Sequence, residues 1–336
     1  MKKILPISTK PIVSCYNDES FRYNIINQYP SFEGWIAMEY FDLCMNKDVF
    51  QKNSQLKGYH TWPYVVPNLE ESKIQRNFMK RYLNKINIVD LIVHTIKNDT
   101  YVYLFLNEYF LPNRFAYKTE NWIHDNLIIG FDLDQSIFYL LGYGMNGLIE
   151  ISEVSFVEFE NSYECLNEIH EEFSDIFFIK PTVCTFKFDL TIFYKRLVKY
   201  FRGDNLNDYL VNFSFGYNTY HNILQYYAQY LLEYDIRNVH KLLEQKKCLL
   251  RSFKYIKKEI LFNKTELDRV INEFKELVSK CEEIKKLTIK YNVHTYNYKK
   301  QKTEYIEKIC FELLKLMKKE KRCLITVITM LEEILS

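Results

Sequence analysis

Glycine and proline are scarce and run out early. The 336 residues include 8 glycines and 7 prolines, the last proline being Pro181 and the last glycine Gly216. The closing stretch therefore lacks both residues that most often stop a helix. So few glycines leave no phosphate cradle. There is no G-x-x-x-x-G-K-[ST] loop, no G-x-G-x-x-G turn and no H-E-x-x-H pair. Without an ATP site, bond-forming chemistry here would need a donor that arrives already activated.

Other absences narrow the field further. No run approaches 18 apolar residues, so no membrane span is expected. The leading MKKILPISTKPIV has only a short apolar run, broken by Pro6, and does not read as a secretory signal. Neither sign of charge dominates, with 45 Lys and Arg against 43 Asp and Glu, so a nucleic-acid partner is not suggested. The eight cysteines, Cys15, Cys44, Cys165, Cys184, Cys248, Cys281, Cys310 and Cys323, form no C-x-x-C pair. In a core-rich chain of this length they are expected as free thiols in a reducing, cytoplasmic setting. His60, His94, His170, His221, His240 and His294 lack metal-ligand spacing with one another, so no metal or other cofactor is expected.

What is present is apolar and aromatic. Hydrophobic residues make up 48%, enough for one large or two ordinary packed domains. The charge is uneven. Residues 1–200 hold 20 basic and 25 acidic side chains, net −5, and residues 201–336 hold 25 and 18, net +7. That asymmetry and the change of pattern near residue 188 suggest two modules, 1–187 and 188–336.

In the first module, Ser14 is placed to cap a helix beginning near Cys15 and ending before Pro30. Gly34 to Met45 reads as a second amphipathic helix, and residues 46–70 as loop. Helical spacing returns from Ile74 to Ile86 and from Ile88 to Ile96. Then β-branched and aromatic residues take over in TYVYLFLNEYFL, Thr100 to Leu111. A hairpin is expected from Leu127 to Tyr143, turning through Asp132 to Ser136. LIEISEVSFVEFE at 148–160 and Ile176 to Phe186 read as further strands. Helices followed by antiparallel strands argue an α+β domain. The second module reads as helices at 188–202, 217–234, 236–261, 264–291 and 297–335, forming a bundle or hairpin.

One pair of residues suggests chemistry. A helix N-terminus favours a thiolate, and a neighbouring imidazolium favours it further. Cys15 lies at the expected helix start and His124 at the start of the first hairpin strand. The same backbone N–H groups would suit an oxyanion. For a group orienting His124, the turn acids Asp132 and Asp134 are too far, since eight extended residues span about 26 Å. Asp125 is adjacent but is expected on the opposite strand face. Hairpin register places His124 opposite about Gly144, which makes Asn146 the candidate third member of a Cys–His–Asn set.

The segments NEYFLP (Asn107 to Pro112), IHDNLIIGFD (Ile123 to Asp132) with FYLLGYG after it, SFGYNTYHNILQYY (Ser214 to Tyr227) and VHKLLEQKKCLLRSFKYI (Val239 to Ile256) carry a family resemblance. Together with the early Cys15, they make the chain similar to the papain-like fold in its C39-peptidase-like branch. More closely it resembles the butirosin biosynthesis protein H family, to which an amide-forming enzyme of closthioamide assembly is similar. The resemblance implies a papain-like domain followed by a helical one. It also implies ATP-independent acyl transfer in peptide or antibiotic biosynthesis, from a carrier-protein thioester on a phosphopantetheine arm to a small amine. On that pattern Cys15 is the nucleophile and His124 the general base and acid. The chain departs from it in two places. The C39 acid about sixteen residues after the histidine is Leu140 here, and the oxyanion glutamine six residues before the cysteine is Thr9. The loss of the glutamine counts against efficient proteolysis more than against transfer from a thioester, whose carbonyl is already activated. A cysteine peptidase and a non-catalytic carrier-binding protein are the alternatives. The basic helical module offers Lys246, Lys247, Arg251 and Lys254 as a surface for an acidic carrier, and its long helices as a homo-oligomer contact.

Overall fold

The computed structural model describes residues 1–8, 11–49, 55–58, 69–82, 86–168, 175–182, 186–205, 210–259 and 264–336. The chain divides into two compact units, one comprising Met1–Ser31 and Val65–Thr185, the other Phe32–Tyr64 and Phe186–Ser336. Both are discontinuous. The segment 32–64, read from sequence as part of the first module, belongs to the second unit. Thr9, His60, His170 and Cys184 lie outside the described residues.

The first unit is α+β. Its strands are β1 (Lys2–Ile4), β4 (Leu69–Gln75), β5 (Tyr101–Asn107), β6 (Ile123–Asp132), β7 (Ile137–Tyr143), β8 (Ile149–Ser155) and β9 (Asp175–Pro181). Among the described residues these strands make one antiparallel sheet in the order β4-β9-β5-β6-β7-β8. β6 is its longest strand. β5 pairs with its first half, from Asn107↔Ile123 to Val102↔Ile128, and β1 with its end, from Ile4↔Gly130 to Lys2↔Asp132. From Asn126 to Asp132 every residue of β6 is buried, so it lies in the middle of the unit's core. The β6–β7 turn closes through Asp132, whose carboxylate accepts the N–H groups of Asp134 and Gln135.

Among the described residues, four helices complete the unit: α1 (Asn17–Ile26), α3 (Arg76–Tyr82), α4 (Ile88–Lys97) and α5 (Phe156–Glu164). α4 is capped by Asn87, which accepts from Val89 and Asp90, and buries Ile88, Val89, Ile92, Val93 and Ile96. Two sequence expectations change here. Residues 148–160 are not one strand, because Ser155 and Glu158 form a capping box that starts α5. The helix expected over 74–86 is β4 followed by α3, since Leu69–Gln75 pairs along its whole length with β9.

α1 starts two residues after Cys15. Tyr16 is its cap residue and makes no side-chain cap bond, so Ser14 does not cap it. Asp18, in the first turn, instead accepts the Glu19 N–H at 2.8 Å. α1 buries nearly all its residues, and Phe21 meets Tyr103 of β5 edge-on. Arg22 fastens the helix to β4 with two 2.7 Å bonds to the Glu71 carboxylate.

The second unit holds α2 (Glu33–Glu39), α6 (Leu190–Arg202), α7 (Thr219–Tyr227), α8 (Ile236–Glu259), α9 (Lys264–Tyr298) and α10 (Thr303–Leu335), with a small sheet of β2 (Cys44–Asn46), β3 (Leu56–Lys57) and β10 (Phe213–Phe215). The helix expected over 34–45 stops at Glu39 because Cys44–Asn46 is taken up by β10. α2 packs on α8, and α9 lies between α8 and α10. α9 and α10 are each about 50 Å long at 1.5 Å per residue. The apolar seam of this bundle contains one fully buried ion pair, Lys246 Nζ to Glu320 Oε1 at 2.7 Å. Tyr200 and Tyr220 both donate to the Glu320 carboxylate.

Candidate active site

The site is built at one end of the sheet. β6 begins there, β7 ends there, and the chain before α1 passes across. Two bonds tie the Cys15 segment to those strands. On one side of Cys15, the Tyr143 hydroxyl at the end of β7 donates to the Ser14 carbonyl. On the other, Asn17 Nδ2 lies 3.3 Å from His124 Nδ1 and donates to Asp125 Oδ1 at 3.0 Å. Cys15 thus sits between two residues held by the histidine's own strand pair. Cys15 is 6% exposed, and the His124 side chain is 30% exposed.

His124 is gripped at one nitrogen. Nδ1 lies 2.8 Å from Asp125 Oδ1, 3.3 Å from the Asp125 carbonyl oxygen and 4.0 Å from Glu108 Oε1. The Tyr143 ring meets the imidazole edge-on at 6.1 Å. With Nδ1 donating to the Asp125 carboxylate, Nε2 is the nitrogen left to exchange a proton. Burial lowers the histidine's proton affinity, but the bond and charge of Asp125, with Glu108 beyond, outweigh it. The net result is a pKa raised above the ordinary 6.5.

Asp125 is therefore not turned away from His124, as strand alternation suggested. Its register partner is Phe105, which puts it on the face of β5 that carries Tyr103, under α1. The imidazole, on the second residue of the strand, turns along the backbone to reach its neighbour. Tyr103 donates to the other carboxylate oxygen at 3.3 Å. Asn146 is exposed in the turn between β7 and β8, and the group bonded to the imidazole is Asp125, with Glu108 and the Asn17 amide beside it. The β7–β8 turn projects beyond the last paired residues, Tyr143↔Ile149, and carries Asn146 with it.

Behind the histidine lies a second polar layer that sequence reasoning missed. Glu108 opens the short 3-10 turn after β5, which Asn107 caps by accepting the Tyr109 N–H. Arg114, fully buried, lies 3.8 Å from Glu108 Oε1 and donates to Asn126 Oδ1 at 3.1 Å. Asn126 in turn donates to the His124 carbonyl. Burial raises the Glu108 carboxyl above the usual range, against the opposing charges of His124 and Arg114. A glycine makes room for this layer. A Cβ at Gly142 would lie 2.9 Å from both Arg114 Nη2 and Asn126 Oδ1. The sequence held a partial signal, since Glu108 falls inside the NEYFLP segment.

The cysteines described, Cys15, Cys44, Cys165, Cys248, Cys281, Cys310 and Cys323, form no disulfide with one another. Among the described residues no cluster of His, Cys, Asp and Glu fits a metal ion, and no helix is long and apolar enough to cross a membrane. In the second unit the basic surface is smaller than expected. Lys246 is wholly buried in its pair with Glu320 and has no surface to offer a partner. Lys247 is half-buried and 3.4 Å from Glu282, Arg251 is half-buried, and Lys254 is exposed.

No family model matches this chain, and a search of curated proteins finds no match.

Proposed function

We propose that the first unit is a papain-like, cysteine-dependent acyltransferase that forms an amide from a carrier-bound thioester and a small amine. The observation that carries this reading is the double tie around Cys15. Ser14 and Asn17 are both bonded to the strands that present a histidine whose Nδ1 is fixed on a carboxylate. In this reading the Cys15 thiolate attacks the thioester carbonyl and the C–S bond to the pantetheine arm breaks. The departing thiolate takes a proton from the His124 imidazolium. The amine then attacks the acyl-cysteine, His124 Nε2 removes its proton, and Cys15 leaves as the thiolate. Asp125 orients the ring and balances the imidazolium charge. The energy of the amide comes from the thioester, in keeping with a sequence that carries no nucleotide-binding motif.

The carrier remains part of the proposal, with Lys247, Arg251 and Lys254 as its contact on α8. The deciding experiment supplies an acyl-loaded carrier protein and an amine without ATP and measures amide product, with Cys15→Ala as control. Product that depends on Cys15 supports transfer. Turnover of a peptide in place of the thioester would assign peptidase chemistry to the same residues, and no turnover of either would leave a binding protein.

A further inference from the structure

Asn17 is buried, 4% exposed, yet its amide serves no helix cap and no core hydrogen-bond network of its own. Nδ2 faces three atoms, all on two consecutive residues: Asp125 Oδ1 at 3.0 Å, the Asp125 carbonyl at 3.3 Å and His124 Nδ1 at 3.3 Å. Oδ1 is buried without a hydrogen-bond partner. A buried acceptor left unpaired costs stability, and a leucine of the same shape would avoid that cost. A side chain kept for packing would not be an amide here. Its one engaged end is aimed at the pair that holds the proton.

From this geometry we infer that Asn17 is a positioning residue, which fixes the Asp125 carboxylate against His124 and so tunes the Cys15–His124 pair from the first position of the helix that follows the nucleophile. The inference rests on the reading of Cys15 and His124 given above. The carboxylate has two oxygens to place. Tyr103 holds Oδ2, and Asn17 donates to Oδ1, the same oxygen that receives the imidazole N–H. Without the amide, Oδ1 keeps only the imidazole and the carboxylate can rotate about its Cβ–Cγ bond. A looser carboxylate supports the imidazolium less, and a weaker imidazolium supports the thiolate less. The titratable groups against His124 are Asp125 on its own strand, Glu108 from the turn after β5 and Tyr143 from β7, with Tyr103 bonded to Asp125 and Arg114 beside Glu108 one contact further out. The Asn17 amide meets His124 and Asp125 of this set.

The test is the pH dependence of Cys15 alkylation by iodoacetamide, followed by peptide mapping in the full chain, for wild type, Asn17→Leu and Asn17→Ala. Wild type should react at Cys15 well below the pH where an ordinary thiol does. Asn17→Leu keeps the branching at Cγ without the hydrogen-bonding atoms, and Asn17→Ala removes the amide without adding bulk. Either should move the Cys15 profile up by about one pH unit, a roughly tenfold slower reaction on the acid side. A purely structural Asn17 would leave that profile in place. If Asn17→Leu or, should that variant not fold, Asn17→Ala superimposes on wild type, the positioning role is refuted while the pair itself stands. If wild-type Cys15 reacts no faster than the other thiols, the reading of the site fails, and this inference with it.

Discussion

The Asp125 carboxylate lies 2.8 Å from Nδ1 of His124, its own chain neighbour, although strand alternation assigns the two residues to opposite faces. The contact is possible because His124 is the second residue of β6, where the ring is free to swing along the strand. It leaves one imidazole nitrogen anchored and the other available. Replacing Asp125 by Ala should therefore slow acylation of Cys15 by about 10²-fold, less than the ~10²–10⁴-fold expected for His124→Ala. Single-turnover acylation with a soluble thioester would measure both. Equal rates for wild type and Asp125→Ala would remove Asp125 from the mechanism. Asn146→Ala should act like wild type, since Asn146 is exposed in its turn.

The same contact makes a pH prediction for stability. His124 has a raised pKa in the folded chain, so the native state holds its proton more tightly than the unfolded state does. Its contribution is fully present below the unfolded value of about 6.5 and is lost as pH rises through the higher folded value. Wild type should lose stability relative to His124→Gln on going from about pH 6 to above the folded pKa. Parallel denaturation curves for the two proteins across that window would show that the histidine is not charged as described.

Glu108 and Arg114 test the second layer. Glu108→Gln keeps the shape but leaves the buried guanidinium without its carboxylate, and breaking a buried pair costs about 3–5 kcal/mol. The melting temperature should fall by roughly 6–20 °C for a unit of this size. A change of less than about 2 °C would mean that Arg114 is balanced elsewhere. Gly142→Ala should destabilise in the same direction, by about 1–3 kcal/mol, because its Cβ displaces both the Arg114 and Asn126 tips.

How much of this was legible beforehand depended on whether the cause was local. The runs at Tyr101–Asn107 and Ile137–Tyr143 are apolar and aromatic, and short runs of that kind beside a polar, aspartate-containing turn are enough to read them. The start of α5 was also written in the sequence, as Ser155 followed three residues later by Glu158. An apolar and aromatic run crossing that point masked it. The end of α2 was not local at all, because Cys44–Asn46 becomes a strand only through Phe213–Phe215. At the site, the types of Cys15 and His124 and their places at a helix start and a strand start could be read. Asn17, Glu108 and Arg114 could not, because their roles exist only once register and helix placement bring them to His124. Alternation also misled at Asp125, since it fixes where a Cβ points and not where a neighbour's ring turns.

The second unit carries a separate prediction. Lys246→Met alone leaves Glu320 charged and buried and should cost about 3–5 kcal/mol. Adding Glu320→Leu should recover part of that loss. It should not recover all of it, because the Tyr200 and Tyr220 hydroxyls that donate to Glu320 are then left unpaired. Full additivity of the two losses in a double-mutant cycle would contradict the pairing.

In the proposed docking, steering of a carrier uses three of the cations of α8 that retain exposure. Reversing Lys247, Arg251 and Lys254 together should slow transfer from a carrier-bound donor at low salt, with the difference shrinking as salt rises. The rate with a small soluble thioester should be unchanged. A carrier-bound rate that is unaffected and insensitive to salt would place docking elsewhere.

The central claim is that Cys15 carries the acyl group, and intact mass spectrometry after incubation with an acyl-loaded carrier, without the amine, tests it most directly. The account predicts a mass gain of one acyl group, mapped to the peptide containing Cys15, absent in Cys15→Ala and discharged on adding amine. An adduct on another cysteine, or the same gain in Cys15→Ala, would contradict it.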